Sequence, residues 1–232
     1  MIGGTSGMGR AIARAALDDG AHVIVAGRRP LDQRAGLDHA RLRHELVDVT
    51  DEASVRALFE RVPALDHLAV TASPAPGKLP GLFDGDAAGF RAYLDAKLGG
   101  SLAAARWAAP KLRPGGSITF LTGVAAVKPR AGMAIISTAF AALEALSRAL
   151  ALELGPLRVN TIRPGLIDSE MWSFLDDAAR RALHDKVTAA FPVHRVGAPA
   201  DIGHAAVFLM TNPYVTGTVL EVTGGEQLVD AF

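Results

Sequence analysis

The chain has 232 residues, half of them hydrophobic, and its 24 basic residues balance its 24 acidic ones. This balance argues against nucleic acid or an anionic membrane as a partner, since either would require a basic surface. The absence of cysteine excludes disulfides and thiolate chemistry. We find no apolar run of membrane-spanning length and no signal peptide, so we expect a cytoplasmic protein that acts on a small molecule.

The first ten residues predict a nucleotide site. A truncated or very short strand ends at Ile2, a glycine-rich turn spans residues 3–9, and a helix follows over residues 10–19. Glycines let a backbone turn tightly towards phosphates, and the dipole and free N–H groups of a helix N-terminus attract them. An ordinary glycine-rich turn is the alternative, because the spacing differs from G-x-G-x-x-G.

Strand and helix patterns alternate along the rest of the chain. Buried strands are predicted over residues 21–26, 42–47, 65–71, 117–122, 157–162 and 219–222. Helices are predicted over residues 52–62, 87–109, 134–154, 176–190 and 199–210, the first capped by Thr50 and the second kinked at Gly99-Gly100. The alternation predicts an α/β fold in one domain, residues 1–232: a doubly wound parallel sheet of Rossmann type with helices on both faces.

Motifs spread along the chain resemble those of the short-chain dehydrogenase/reductase family. They are Gly3-x-x-x-Gly7-Met8-Gly9, Asp48-Val49, the stretch from Arg158 to Gly165, the stretch from Arg195 to Ile202, Thr216-Gly217 and Gly224-Gly225. The resemblance covers nearly the whole chain. It therefore strengthens the prediction of a nucleotide site and implies a nicotinamide cofactor.

The resemblance also implies which residues contact that cofactor. The matching positions serve the pyrophosphate (Gly3, Gly7, Met8), the adenosine ribose (Thr5, Ser6), the adenine (Asp48, Val49), the nicotinamide (Pro164, Gly165, Ile167) and again the phosphates (Ser169). Ala72 and Ser73 complete the set, as the second half of a stretch that is Asn-Asn-Ala-Gly in the family.

The choice of nucleotide depends on the residues after the strand predicted over residues 21–26. An acidic residue there would accept a hydrogen bond from the ribose 2′-OH of NAD. This chain instead has Arg28 and Arg29, and a guanidinium suits the 2′-phosphate of NADP. We therefore predict NADP(H), with two solvated loop arginines as the alternative.

The family's four catalytic residues all differ here. By the resemblance, Gly123 stands at the serine position, Ile136 at the tyrosine, Phe140 at the lysine and Lys97 at the asparagine. A second tyrosine–lysine pattern, Tyr93-x-x-x-Lys97, lies in the preceding long helix. We interpret it as coincidental, since its register places Tyr93 towards the core or a partner helix.

Hydride transfer needs only positioning, but a developing alkoxide needs a proton or a positive charge. The replacements therefore favour a substrate that avoids this need: an imine or iminium, an enone, or an activated carbonyl. Asp168 and Arg130 are candidate catalytic residues, because divergent members of the family that lack the four residues use an acid and an arginine in these regions. Trp172 is a candidate for stacking on substrate. Each has an ordinary structural alternative. Asp168 could be a loop cap or part of a salt bridge, Arg130 a solvated cation, and Trp172 part of a hydrophobic lid or an oligomer contact.

Two further residues are candidates for the missing chemistry. Lys97 could hold the ribose or donate a proton if burial lowers its pKa, unless its ammonium extends to solvent. Thr122 could supply a hydroxyl in place of the serine, although threonine is ordinary in a buried strand. The seven histidines show no metal-binding spacing, so no metal is predicted.

Three hypotheses remain open from the sequence. The first is an NADPH-dependent reductase with non-standard proton delivery. The second is a catalytically silent NADP(H)-binding protein, and the third is a protein that binds no cofactor because Phe140 removes the ribose anchor. The resemblance implies a homodimer or homotetramer, and alanines 139, 141, 142, 145 and 149 permit the close approach of helices that such a contact needs. The alternative is that these alanines lie in the buried core of a monomer.

Overall fold

The computed structural model describes residues 1–30, 37, 39–73, 85–173 and 175–230. Six strands are present in this part: β1 (Val23–Gly27), β2 (Leu42–Leu46), β3 (Leu65–Val70), β4 (Leu112–Leu121), β5 (Arg158–Pro164) and β6 (Val219–Val222). The α-helices there are α1 (Gly7–Asp18), α2 (Glu52–Arg61), α3 (Ala87–Leu94), α4 (Gly100–Ala108), α5 (Ala134–Glu153), α6 (Asp177–Ala190) and α7 (Pro199–Thr211).

The described strands are parallel, and the segment Met1–Gly3 joins them into one layer. β1 pairs with β2, while β3, β4, β5 and β6 pair in that order. Ile2 bridges Ala26 on one side and Val70 on the other. The strand order therefore reverses at Ile2, and in such sheets ligands bind in the crevice at the carboxyl ends beside this reversal.

Helices cover both faces of the sheet. On one face α1 and α7 pack through a cluster that includes Ile12, Ile202 and Leu209. On the other face α2, α4 and α5 bury residues such as Val55 and Leu143 against the sheet. The predicted Rossmann-type α/β fold is confirmed, because parallel strands that are apolar on both faces require a helical layer on each side.

One predicted helix cap was wrong, and one predicted helix is more irregular than expected. The cap of α2 is Asp51, whose carboxylate accepts from Ala53 N at 2.9 Å, whereas Thr50 donates its hydroxyl to Asp48. The helical stretch predicted over residues 87–109 is present, but its middle, Asp95–Gly99, is π-helical and reaches the predicted kink at Gly99-Gly100. Gly100 then approaches the chain after β2, because a β-carbon there would lie 2.9 Å from Cβ of Val49.

Helix α5 is long and apolar enough to cross a membrane by length and composition alone. It packs on β5, however, and buries Glu144, which pairs with Arg163 of that strand. A helix that covers a sheet passes the same test of length and hydropathy. Ala139 belongs to its buried face, whereas alanines 141, 145 and 149 are exposed, so only part of the predicted alanine surface is accessible to a second helix.

Candidate functional site

The glycine turn lies at the carboxyl edge of the sheet, between Met1–Gly3 and α1. Gly3 and Gly7 have φ angles of +83° and +53°, in the left-handed region that favours glycine. A β-carbon on Gly9 would lie 2.1 Å from the carbonyl oxygen of Gly3. The turn therefore requires glycine for its conformation at residues 3 and 7 and for space at residue 9.

Helix α1 begins at Gly7, within the predicted turn and three residues earlier than expected, and presents its N-terminus there. Its first internal hydrogen bond runs from Arg10 N to Ser6 O, so the N–H groups of Gly7, Met8 and Gly9 precede the helix's own bonds. Ser6 is the N-cap, its side chain makes no capping bond, and the first turn holds no acidic residue. These donors and the helix dipole suit a phosphate, so the residues present fit the pyrophosphate of a dinucleotide.

Glu170 lies over this helix N-terminus. Its Oε2 is 3.5 Å from the position of a β-carbon on Gly7, and Ser169 lies 4.0 Å from the same position. The Glu170 carboxylate also forms an ion pair with Arg10. A carboxylate therefore lies beside the predicted phosphate site, together with Ser169. Sequence reasoning missed the pairing of Glu170 with Arg10, because 160 residues separate them.

The residues predicted for the adenosine end lie close together. Arg28 and Arg29 are exposed directly after β1, and Thr5 lies 3.3 Å from a β-carbon built on Gly27. Hydrogen bonds from Thr50, aided by the positive charge of Arg28, hold the pKa of Asp48 below its ordinary value. Two cationic side chains thus accompany the predicted ribose and adenine contacts.

The residues predicted for the nicotinamide end follow β5. A β-carbon on Gly165 would lie 2.8 Å from Oε2 of Glu226, and the same oxygen accepts a hydrogen bond from Leu166 N at 2.8 Å. Ile167 is buried, and its carbonyl oxygen accepts from the Trp172 indole at 2.8 Å. The side chain of Trp172 therefore folds back over the chain after Pro164 and contacts one of the predicted cofactor residues.

Arg130 is held by Glu226, a residue that sequence reasoning missed. The two form an ion pair at 2.6 Å, and Glu226 is only 1% exposed. Burial raises the pKa of Glu226, while the charge of Arg130 opposes that effect. Glu226 thus links the Arg130 guanidinium to the backbone of Leu166, and the guanidinium has a carboxylate partner.

Asp168 is engaged by helix α6. It forms an ion pair with Arg180, and Nε2 of His184 lies 3.5 Å from its second oxygen. Asp168, Trp172, Arg180 and His184 line one small pocket together with apolar side chains of the chain after β5. The structure therefore brings the predicted residues Asp168 and Trp172 together, but the carboxylate already has a cationic partner in Arg180.

Lys97 is buried at the carboxyl edge of the sheet, within the π-helical segment. Its side chain is 3% exposed, its Nζ donates to Ala72 O at 3.2 Å, and Nζ lies 5.5 Å from the centroid of the Phe140 ring. Burial lowers the pKa of Lys97 to about 8. The alternative in which the ammonium extends to solvent does not hold.

The side chains around Lys97 show how its neighbourhood is filled. The Phe140 ring packs against Gly123. A β-carbon built on Gly123 would lie only 2.7 Å from Cε2 of that ring. The Thr122 hydroxyl donates to Glu144 at 3.0 Å and is 5% exposed. Thr122 thus belongs to a buried polar network with Glu144 and Arg163.

Tyr93 is buried on α3, one turn before Lys97. Burial raises the pKa of Tyr93, and the nearby Ser73 side chain opposes that effect. The core position matches the sequence interpretation, but Ser73 is itself one of the predicted cofactor residues. Within the described residues, no group of three or more histidine, aspartate or glutamate side chains could hold a metal ion.

Comparison with known proteins identifies the family. A family model described as enoyl-(acyl carrier protein) reductase matches residues 3–227. The short-chain dehydrogenase/reductase ATR9 of Stachybotrys chlorohalonatus is 32% identical, in an alignment that covers 97% of this chain and 94% of that protein. The chain belongs to the short-chain dehydrogenase/reductase family. The resemblance predicted from its motifs is therefore confirmed, and its relatives are oxidoreductases.

Solved structures of this family superpose closely on the chain. A small-chain dehydrogenase in complex with NADPH has 33% identity and a TM-score of 0.81, covering 98% of this chain and 96% of that one. The MalC reductase/Diels-Alderase of Malbranchea aurantiaca has 26% identity and a TM-score of 0.89, covering 98% and 95%. Both superpositions extend over nearly the whole chain.

Proposed function

We propose that the chain is an NADP(H)-dependent reductase in which the Lys97 ammonium delivers the proton. The observation that carries this proposal is the position of Lys97, buried at the carboxyl edge with Nζ between Ala72 O and the Phe140 ring. A buried amine whose pKa is lowered to about 8 remains mostly protonated at neutral pH and can still give up its proton.

Several features support NADP(H) as the cofactor. The glycine turn and the α1 N-terminus form a cradle for phosphates, and Arg28 and Arg29 follow β1 where a 2′-phosphate would need positive charge. A solved relative at 33% identity holds NADPH. When bound, the reduced nicotinamide supplies a hydride.

We further propose that Gly123, Ile136 and Phe140 occupy the positions of the family's serine, tyrosine and lysine. Gly123 follows β4 with one residue between, and Phe140 lies four residues after Ile136 on α5. The contact between Gly123 and Phe140 supports this correspondence, since the ring fills the space that a side chain at residue 123 would need. The hydroxyls that usually stabilise a developing alkoxide are then absent from these three positions.

Lys97 can replace their chemistry. As hydride reaches a carbonyl carbon, or the β-carbon of an enone, the π electrons move onto the substrate oxygen. The Lys97 ammonium donates a proton to that oxygen, and the neutral amine regains a proton from water. An enol formed from an enone then returns to the ketone by moving its proton to the α-carbon.

The charges at the site favour an enone or activated carbonyl over a preformed iminium. A cationic substrate would be repelled by the Lys97 ammonium. Asp168, which could have attracted a cation, is already paired with Arg180 and lies near His184. A developing negative charge on oxygen suits this environment better.

A second candidate function, NADP(H) binding without turnover, has its own support. Glu170 lies beside the phosphate cradle, and the Trp172 indole donates a hydrogen bond to the Ile167 carbonyl oxygen. Groups of the chain itself thus stand at the predicted contacts for the phosphates and for the nicotinamide. Such contacts suit a sensor or the partner subunit of an active homologue, because cofactor binding would release them.

Turnover separates the two functions. The purified protein is mixed with NADPH and a panel of enones, activated ketones, cyclic imines and iminium salts, and the loss of reduced nicotinamide absorbance is followed. A reductase oxidises NADPH with at least one enone or activated ketone. Stabilisation by NADPH in a thermal shift assay with no oxidation on any compound would instead favour the silent protein, and no stabilisation by NADPH or NADH would contradict both.

We also propose that two copies associate through the exposed face of α5. This face carries Ala141, Ala145, Ala149 and Leu152, the last 87% exposed, which lets another helix approach closely. Ala145→Glu would place a charge in that contact. Sedimentation should then show a smaller species than the parent, whereas an unchanged mass would contradict this interface.

A further inference from the structure

The C-terminal segment, residues 223–229, contacts the loops that follow two neighbouring strands. It leaves β6 beside the end of β5, where Gly165 N donates to the carbonyl oxygen of Val222 at 3.0 Å. Lys128, from the loop after β4, donates its ammonium to the carbonyl oxygen of Glu226 at 3.1 Å. The segment is therefore held at the carboxyl edge of the sheet, where the cofactor site is proposed.

The Glu226 side chain makes two further contacts, one to each of these loops. Its Oε1 accepts from the Arg130 guanidinium at 2.6 Å, and its Oε2 accepts from the backbone N–H of Leu166 at 2.8 Å. The side chain is 1% exposed, and a carboxylate buried so completely needs such partners, because an unpaired charge in the interior is costly. Glu226 therefore joins the loop after β4 to the loop after β5.

The peptide before Leu166 has little freedom around this carboxylate. A β-carbon on Gly165 would lie 2.8 Å from Oε2 of Glu226 and 2.8 Å from Cα of Thr223. The carbonyl oxygen of Leu166 accepts from the backbone of Gly197 at 3.0 Å, whereas its N–H donates to the Glu226 side chain. The direction of that N–H thus depends on a single side chain from the C-terminal segment.

We propose that Glu226 is a positioning residue for the nicotinamide end of the cofactor. Leu166 lies between Gly165 and Ile167, the residues predicted to contact the nicotinamide, so the bond to its N–H fixes the backbone that carries both. Arg130 orients the carboxylate from the opposite loop. This role in cofactor binding rests on the proposed function, whereas the bond that holds Leu166 can be followed without any cofactor.

The variant Glu226→Gln keeps the size of the side chain but removes one of its two acceptor oxygens. The amide NH2 would face either Leu166 N–H or the Arg130 guanidinium, and both of these are donors. Amide hydrogen exchange of the cofactor-free protein, followed by NMR, should therefore be at least about tenfold faster at Leu166 than in the parent. An unchanged rate at Leu166, or an equal acceleration at Leu166 and throughout β1, would overturn the inference.

Calorimetric titration shows which end of the cofactor is affected. Adenosine 2′,5′-bisphosphate carries the adenosine and the 2′-phosphate of NADPH but no nicotinamide. Glu226→Gln should weaken NADPH binding about tenfold, roughly one charge-assisted hydrogen bond, and leave bisphosphate binding within about twofold. A general loss of stability would not distinguish the two ligands. Leu58→Ala, which removes a buried side chain of α2, is the control for lost stability and should weaken neither.

Arg130→Met breaks the same link from the other loop. The Arg130 side chain is 31% exposed, so this variant keeps the comparison decisive if Glu226→Gln does not fold. It should also weaken NADPH binding selectively, and the double variant should add little to either loss, because the two residues act through one ion pair.

The outcomes separate this inference from the proposed function. Equal losses for NADPH and the bisphosphate, or no loss for either, would overturn the role of Glu226 while a parent that oxidises NADPH remains a reductase. If the selective loss is found but the parent oxidises NADPH with no substrate, Glu226 positions the nicotinamide and the proposed reductase function fails. A parent that does not bind NADPH would contradict both.

Discussion

A β-carbon built on Gly123 would lie 2.7 Å from Cε2 of Phe140. Gly123 has extended backbone, with φ near 180°, so its conformation would accept any residue and only the space is limiting. The two positions are therefore complementary: the ring of Phe140 fills the volume that a side chain at residue 123 would occupy. A change at one of them should be tolerated only with a change at the other.

Gly123→Ser alone should lower the free energy of unfolding by about 1–3 kcal/mol, because an overpacked site forces side chains out of their preferred rotamers. Urea unfolding measures this. Replacing the ring by a smaller side chain, with Phe140→Leu added to Gly123→Ser, should recover most of the lost free energy of unfolding. A single Gly123→Ser variant as stable as the parent would show that Phe140 does not fill this space.

The same relationship supports a gain-of-function prediction. The combination Gly123→Ser, Ile136→Tyr, Phe140→Lys and Lys97→Asn should confer reduction of simple ketones with NADPH. Lys97→Asn is included because two ammonium groups would otherwise share one space. Product is measured by chromatography. Intact NADPH binding without ketone reduction would contradict the proposed correspondence of these positions with the family's catalytic residues.

The titration of Lys97 sets a pH dependence. Burial lowers the pKa of Lys97 from 10.5 to about 8, so between these values the unfolded chain binds a proton that the folded chain does not. Stability should therefore gain from this group as pH rises from about 8 to 10.5, and Lys97→Met should lack that gain. In turnover the ammonium is the donor, so kcat/KM for the carbonyl substrate, measured at saturating NADPH, should fall above about pH 8.

Lys111→Met is the matched control for this profile. Lys111 precedes β4 at the opposite end of the sheet, so its removal should leave both the activity profile and the stability profile unchanged. A kcat/KM that stays level through pH 9 in the parent would remove Lys97 from proton delivery.

The nucleotide preference depends on Arg28 and Arg29. Replacing both by alanine should weaken NADPH binding about 10- to 100-fold, the loss expected for charge-assisted hydrogen bonds, and leave NADH affinity within about threefold. Isothermal titration calorimetry measures both. Arg113→Ala is the control, because Arg113 pairs with Asp66 at the other end of the sheet. Equal losses for the two nucleotides would argue against a 2′-phosphate contact.

Glu170 should oppose cofactor binding. Its carboxylate lies beside the α1 N-terminus and pairs with Arg10, so a phosphate entering there meets a negative charge. Glu170→Gln keeps the shape and should tighten NADPH binding about three- to tenfold. Glu153→Gln, at the exposed end of α5, should have no effect. Weaker NADPH binding in Glu170→Gln would show that the carboxylate assists the cofactor rather than competing with it.

The sequence carries the fold because its signals are local. Apolar runs followed by amphipathic stretches predict parallel strands and covering helices, and a glycine turn before a helix predicts the cradle at Gly3 and Gly7. The start of a helix is harder to predict from sequence where two neighbouring polar residues could each act as its N-cap. Asp51 caps α2 in place of Thr50, since its carboxylate is one residue closer to the helix.

The site was only partly predictable, because its ion pairs join distant segments. Glu226 reaches Arg130 across 96 residues, and Glu170 reaches Arg10 across 160. No spacing rule connects such residues before the sheet assembles. The position of Lys97 was hard to predict for a different reason: the direction of its side chain depends on the π-helical segment that follows α3.

Single-turnover kinetics of Lys97→Met tests proton delivery most directly. NADPH-loaded parent, Lys97→Met and Lys111→Met are mixed with an accepted enone or activated ketone at pH 7, and nicotinamide oxidation is followed by stopped flow. If Lys97 is the donor, Lys97→Met should bind NADPH about as tightly as the parent but oxidise it at least about 100-fold more slowly, the usual contribution of a general acid. Lys111→Met should match the parent. Oxidation by Lys97→Met at the parental rate would contradict the proposed role of Lys97.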